Sequence, residues 1–91
     1  MIKDDSYKSK IAVVIPYYNA SAQIIGVISE LPEYVDLVVI VDDNSQEELP
    51  KNSILENLNP ITRCHFLKNE INLGVGGATK AGFEHVLEEG F

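Results

Sequence analysis

The chain has little of what marks several large classes of protein. It contains one cysteine, Cys64, among 91 residues, so no disulfide can close within it, and the flanking Arg63, His65 and Phe66 give no metal-ligand spacing. That favours an intracellular, cytoplasmic setting. No run approaches the roughly 18 apolar residues of a membrane span. Residues 1–10 mix Lys3, Asp4, Asp5, Lys8 and Lys10 with no apolar stretch, which reads as a flexible N-terminal tail and not as a secretory signal. Basic residues are scarce: seven stand against fourteen acidic ones, for a net charge of −7. Diffuse attraction to nucleic acid or anionic lipid is thereby disfavoured. An anionic ligand would need local help from backbone N–H groups or from a cation. There is no internal repeat and no low-complexity segment.

What the chain does have is alternation of short apolar runs with amphipathic stretches. Its length and 45% hydrophobic content fit one small domain, burying roughly 60–65% of the surface exposed when unfolded. Residues 11–15 are apolar throughout and mostly β-branched, too short for a helix, and end at Pro16; this favours a central strand. Ser21 is placed to cap a helix in which Ile24, Val27, Ile28 and Leu31 share a face, with Pro32 ending it. Residues 37–41 repeat the strand signature, and strand, helix and strand in that order imply a right-handed parallel crossover. Ser45 and Glu48 follow at capping-box spacing. Pro50 opens a short helix using Ile54, Leu55 and Leu58, and Pro60 follows its end. Residues 63–68 form a weaker third strand. From Gly74 a last helix sets Ala78, Ala81, Gly82 and His85 on one face, small enough to approach a sheet closely, with Gly90 as its stop. The order β-α-β-α-β-α predicts an α/β fold: a three-layer α/β/α sandwich on parallel strands, part of a doubly wound, Rossmann-like sheet.

The chemistry concentrates where the strands stop. Val13-Val14-Ile15-Pro16-Tyr17-Tyr18-Asn19 and Val39-Ile40-Val41-Asp42-Asp43-Asn44-Ser45 each break from apolar to polar at a strand end, the rim where α/β sheets bind ligands. Asp42 and Asp43 are adjacent, so in extended backbone their side chains point to opposite sides. Turn chemistry alone would also explain Asp-Asp-Asn-Ser. Tyr18 is placed to stack on a flat ring, while Asn19 suits a turn. Residues 72–80, from Asn72 to Lys80, look like a phosphate loop but match neither standard pattern. The G-x-G-x-x-G pattern finds Thr79 where its last Gly belongs, and G-x-x-x-x-G-K-[ST] finds Thr79 for Gly and Ala81 for the hydroxyl. What remains is a glycine-rich helix start whose free N–H groups would suit an anion, with Lys80 about a turn further on. His65 and His85 read as isolated, with no metal role and no nucleophile set around them.

Taken together, V-V-I-P-Y-Y-N, V-D-D-N-S and N-L-G-V-G-G-A-T-K-A-G resemble the family 2 glycosyltransferases of the GT-A fold over residues 11–91. The resemblance implies the N-terminal, nucleotide-sugar-binding part of such an enzyme, with a UDP- or GDP-sugar as donor. Pro16, Tyr17, Tyr18 and Asn19 would line the nucleotide pocket, Tyr18 against the base. Asp43 would accept from the base edge, and Asp42 would brace the pocket or reach the ribose. Asn72, Gly74 and Lys80 would lie on the sugar-nucleotide side. The family goes on to a further strand ending in Asp-x-Asp, which holds a divalent metal, Mg²⁺ or Mn²⁺, on the diphosphate, and then to a general base. These 91 residues contain no Asp-x-Asp, so the expectation is a truncated domain, inactive alone and with no catalytic residue of its own. In the family the further strand pairs beside the first, so its absence would leave residues 11–15 as an apolar edge and favour a homo-oligomer. A longer form of the protein could sit at the cytoplasmic face of a membrane. Two other classes compete: a nucleotide-binding or dimerising fragment without catalysis, and a phosphoacceptor receiver domain. The receiver domain is disfavoured because its acidic pair ends the first strand, whereas here the pair ends the second.

Overall fold

The computed structural model describes residues 10–91; apart from Lys10, the expected tail lies outside the described residues. Three strands and three helices alternate: β1 (Ala12–Tyr17), α1 (Ser21–Ser29), β2 (Leu37–Asp42), α2 (Lys51–Asn57), β3 (Arg63–Lys68) and α3 (Gly74–Glu88). The strands form one parallel sheet in the order β1-β2-β3. The predicted α/β sandwich is the observed one, with a helix layer on each face of the sheet.

Strand periodicity sorts the core. On one face Val38 and Ile40 of β2 pack with Val13, Ile15 and Tyr17 of β1 and Cys64 and Phe66 of β3, against Ile24 and Ile28 of α1 and Ile54 of α2. On the other face Leu37, Val39 and Val41 pack with Ala12, Val14 and Leu67 against Ala78 and Val86 of α3. Both faces of β2 are covered, and each of its six residues is buried. Burial of a Val, Leu or Ile side chain stabilises by about 1.5–3 kcal/mol, so this strand is the chief apolar contributor.

Several local expectations change once tertiary partners are in place. β1 is not central, as its composition suggested, but lies at one edge of the three-stranded sheet, the position that the family resemblance implied, with residues 12–16 only half-buried. An apolar run reports what covers its two faces and says nothing of what pairs along its sides. In α1, Val27 is exposed and Ile25 packs in its place. Neither serine is a cap. Ser21 is already helical and donates its backbone N–H and its hydroxyl to Glu47, while Ser45 precedes no helix and instead joins two loops. α2 starts after Pro50 and buries Ile54, leaving Leu55 outside.

α3 runs over β1 and β2 and ends as Gly90 requires. Gly90 takes a left-handed φ of 88°, its N–H donates to the Leu87 carbonyl, and that of Phe91 reaches back to Val86. This is a Schellman stop, closed by the apolar contact of Phe91 with the Val86 cluster. Midway along the helix, Gly82 lets α3 touch the sheet: a Cβ there would run into Val14 Cγ1 and lie 3.2 Å from Val41 Cγ2. Gly26, exposed in α1, has nothing within 4 Å of such a Cβ.

The two glycines should therefore respond oppositely to alanine. Gly82→Ala overpacks a closed contact and is expected to cost about 1–3 kcal/mol, whereas Gly26→Ala relieves helical glycine and should stabilise by about 0.5–1 kcal/mol. Urea denaturation of both variants checks the pair; a destabilised Gly26→Ala or a stabilised Gly82→Ala would contradict the packing.

Candidate functional site

All three strands present their carboxyl ends to the same rim, and the register fixes which residues meet there. Tyr17 pairs with Asp42, and Asp42 with Lys68. One residue further on, Tyr18, Asp43 and Asn69 fall in line. By strand alternation they share the α3 side with Val14, Val41 and Leu67, while Tyr17, Asp42 and Lys68 share the side of α1 and α2. The opposite directions expected of Asp42 and Asp43 are thus observed, and each serves a different loop.

On the α1 side the loops are stapled to each other. Asn19, at a left-handed φ of 47° that asparagine tolerates, accepts at Oδ1 from the N–H groups of Gln46 (2.9 Å) and Glu47 (3.1 Å). Its own N–H donates to Ser45 Oγ at 2.9 Å. Asp42 Oδ1 accepts from the Ser45 N–H at 2.9 Å. Tyr17 is buried in the same region, and its hydroxyl has no hydrogen-bond partner. Burial pushes this phenol above its ordinary value, helped by the Glu47 and Asp42 carboxylates. The backbone of Ala20 and the Ser21 hydroxyl oppose the shift, although neither meets the hydroxyl in hydrogen-bond geometry.

On the α3 side one carboxylate organises everything. Asp43 is 3% exposed; its Oδ1 accepts from Asn69 Nδ2 and the Leu73 N–H, both at 2.9 Å, and its Oδ2 from the Gly74 N–H at 2.8 Å. Asn72 Oδ1 shares that last donor at 2.8 Å. Asp43 is thus the N-terminal cap of α3, supplied from a different strand, and the positive end of the helix dipole favours its charge. These contacts, the Asn69 amide foremost and then the Leu73 and Gly74 N–H groups, hold its pKa below 3.8 against the opposing effect of burial. The glycine-rich start of α3 was expected to offer its N–H groups to a foreign anion. Two of them are already taken by the protein's own.

Beside this cap lies a cavity of about 310 Å³, near the lower end of the roughly 300–1,000 Å³ range of small-molecule sites. Of the residues singled out in the sequence, Pro16, Tyr17, Tyr18, Asp43, Asn72 and Gly74 border it; Ala20, Val75 and Ala78 complete the wall. Tyr18, 49% exposed, stands at its mouth with its ring available. Asn19, Asp42 and Lys80 are not part of it. Lys80 is exposed, six residues into α3 and so nearly two turns from its start. A larger groove of about 790 Å³ runs along the opposite side between residues 45–53 and the end of β3. It contains Asp42 and no other candidate, so the smaller cavity is the better site.

The divalent metal implied by the resemblance does not fit these carboxylates. Asp42 and Asp43 open into different grooves, and the Asp43 oxygens face N–H donors where a cation would need lone pairs. Two features escaped the sequence reading. Asn69 orients Asp43, and its signal was its position as the first residue past β3. His65 and His85, read as isolated, meet at 2.8 Å across β3 and α3.

An open parallel α/β sheet with a cavity at the carboxyl ends of its strands belongs to the Rossmann-like class of ligand-binding folds. Within that class the assignment is specific: the family model for glycosyl transferase family 2 matches residues 12–89, and the chain belongs to that family. No individual curated protein matches it.

Removing the cap tests the site's stability role. A rim carboxylate would matter little to folding, but Asp43→Ala leaves the Asn69 amide and the Leu73 and Gly74 N–H groups without their acceptor, and should lower the thermal midpoint clearly. The pH dependence has a definite sign. Because the folded pKa is depressed, the charged-state stabilisation is complete above the ordinary aspartate value of 3.8 and is lost as pH falls through the lower, folded value. Urea midpoints of wild type and Asp43→Asn should therefore differ most near neutrality and converge below that pH. A gap that stays constant with pH would refute the charged cap.

Proposed function

We propose that this chain carries the donor-recognition part of a family 2 glycosyltransferase, holding the nucleoside of a nucleotide-diphosphate sugar of the UDP or GDP type. The observation behind this reading is the convergence of Tyr18, Asp43 and Asn72 on one mostly apolar cavity at the strand ends, in a chain of that family. Tyr18 offers a ring face for the base. A carboxylate has about four acceptor positions; three at Asp43 are filled by Asn69, Leu73 and Gly74. The remaining one suits the ring N–H of uracil or guanine. Asn72 stands at the side where the ribose would leave the cavity.

The phosphates would point outward. Asp43 already occupies the start of α3, and a second anion beside it would be repelled. In the transfer reaction a divalent ion neutralises the departing nucleotide diphosphate, and no residue bordering the cavity is suited to hold it. We therefore assign these residues binding and orientation of the donor, with no turnover by the 91-residue chain. A cytoplasmic location belongs to the same reading; no helix among the described residues is long and apolar enough to cross a membrane.

Calorimetric titration with UDP and GDP tests the reading. Tyr18→Ala should weaken nucleotide binding by about tenfold, in keeping with roughly 1–3 kcal/mol for a base stacked on an aromatic ring. The urea midpoint should stay where it is, since the side chain is half exposed. Equal affinity in both proteins would remove Tyr18 from the site, and no binding of either nucleotide would remove the proposal.

β1 is an edge strand with half-buried apolar residues, a template on which a second copy could add a strand. Sedimentation at about 10–100 μM, the range that detects micromolar association, should show a dimer; a single monomeric species throughout would count against pairing.

A further inference from the structure

We propose that His65, His85 and Glu89 form a binding site for a transition-metal dication, Zn²⁺ being the best match, that ties the last turn of α3 to β3. The site is independent of the donor cavity. His85 lies eleven residues beyond Gly74, where α3 starts, about 16 Å along the axis at 1.5 Å per residue.

The fold brings the three residues together in two steps. His65 pairs in register with Val39, whose side chain belongs to the α3 face of the sheet, so His65 looks toward α3. His85 and Glu89 are four residues apart on that helix and its C-cap, and hence on one side of it. His65 Nδ1 lies 2.8 Å from His85 Nε2 and 3.6 Å from Glu89 Oε1. One donor atom from each residue falls within 4.8 Å of the other two.

Those distances suit a small tetrahedral ion. With metal–nitrogen and metal–oxygen bonds of about 2.0–2.2 Å, neighbouring donors stand about 3.3–3.5 Å apart. The His65–Glu89 separation is already there, and the His–His separation needs to open by about half an ångström. The side chains of His65 and Glu89 are 32% and 30% exposed, so both can turn and a water can take the fourth position. Without metal, one neutral imidazole donates to the other; with metal, the donor takes its other tautomer, its proton moving to the far ring nitrogen, so that both rings present a lone pair to the ion.

Charge and ligand type point the same way. Two imidazoles and a carboxylate are a borderline N/O set that selects Zn²⁺ and its neighbours over Mg²⁺ or Ca²⁺, which prefer oxygen. The carbonyl end of α3 favours a cation, as does the net charge of −7. Arg63, with NH1 3.7 Å from Glu89 Oε1 and its guanidinium over the Phe91 ring, is the competing cation; its side chain is 55% exposed. Cys64 is no ligand. It packs on the opposite face of β3, and burial pushes its thiol up to about 11. α3 packs chiefly on β1 and β2, so a metal here would add a tie to β3.

The test is calorimetric titration of the chain with ZnCl₂, alongside His85→Gln and Glu89→Gln variants whose circular dichroism shows them folded. One equivalent should bind the wild type, and each variant should lose at least about tenfold in affinity, since even outer-shell changes at metal sites cost about 10–100-fold. Zn²⁺ should also raise the thermal midpoint of the wild type but not of the variants, and Mg²⁺ should not compete. Co²⁺ in place of Zn²⁺ should give the visible absorption of a four-coordinate site. Wild-type affinity matched by both folded variants, or binding weaker than millimolar, would leave only a hydrogen-bonded histidine pair and overturn the proposal. Should His85→Gln fail to fold, Glu89→Gln at the helix end decides alone.

Discussion

The carboxylate of Asp43 is the contact on which the arrangement of this molecule turns. A buried anion is costly unless hydrogen-bond donors surround it, and here three N–H groups from the β3–α3 connection supply them. The contact therefore does more than satisfy a charge. It sets where α3 starts relative to the end of β2 and fixes the helix axis across β1 and β2. That axis decides that Gly82 meets Val14, that Val75 and Ala78 wall the cavity, and that His85 arrives over His65. A displacement of the first turn would be felt at each of these places, because a helix transmits a shift along its length.

Much of this architecture was legible in the sequence, for a physical reason. Strands buried on both faces must be apolar at every position, and they must stop at polar residues when they reach the rim. β2 was found to within a residue of its end because it obeys that rule, whereas β3, charged at both ends and half-buried between them, was found at its observed limits from a weaker signal. The same period of two separated Asp42 from Asp43 correctly. What local pattern could not supply was the identity of partners distant in the chain. Ser21 and Ser45 have the chemistry of helix caps, but Glu47, Asn19 and Asp42 compete for them and win. The α3 start looked like an empty anion cradle because its anion comes from thirty residues earlier. His65 and His85 looked isolated because their meeting depends on the direction of α3, which no local signal encodes. β1 has the composition of a central strand, and its edge position was expected from the resemblance alone.

The rim divides by strand alternation into two halves of different character. The half facing α1 and α2 is closed by side chain to backbone bonds among Asn19, Asp42, Ser45 and Glu47, so its polar groups are largely committed to one another. The half facing α3 keeps an apolar cavity with uncommitted features: an exposed tyrosine ring and one unfilled acceptor position on Asp43. Residues adjacent in sequence thus fall to different tasks, Tyr17 to the core and Tyr18 to the cavity mouth. Polar residues clustered in one motif need not share a role; their parity along the strand decides which do.

That division also bears on how a nucleotide diphosphate could be accommodated. On the proposed reading a neutral base would gain from burial against Pro16, Val75 and Ala78, and from one hydrogen bond to a carboxylate held charged by its other partners. A diphosphate gains nothing at the same place, because the helix dipole that would attract it is already answered by Asp43 and no residue bordering the cavity is basic. With a net charge of −7 the long-range field adds further repulsion, weakened over the roughly 8 Å Debye length of physiological salt. Recognition of the ring and management of the phosphates are therefore physically separate problems in this fold. On the proposed reading the cavity would serve the first, and the second would require positive charge brought to the rim from outside it.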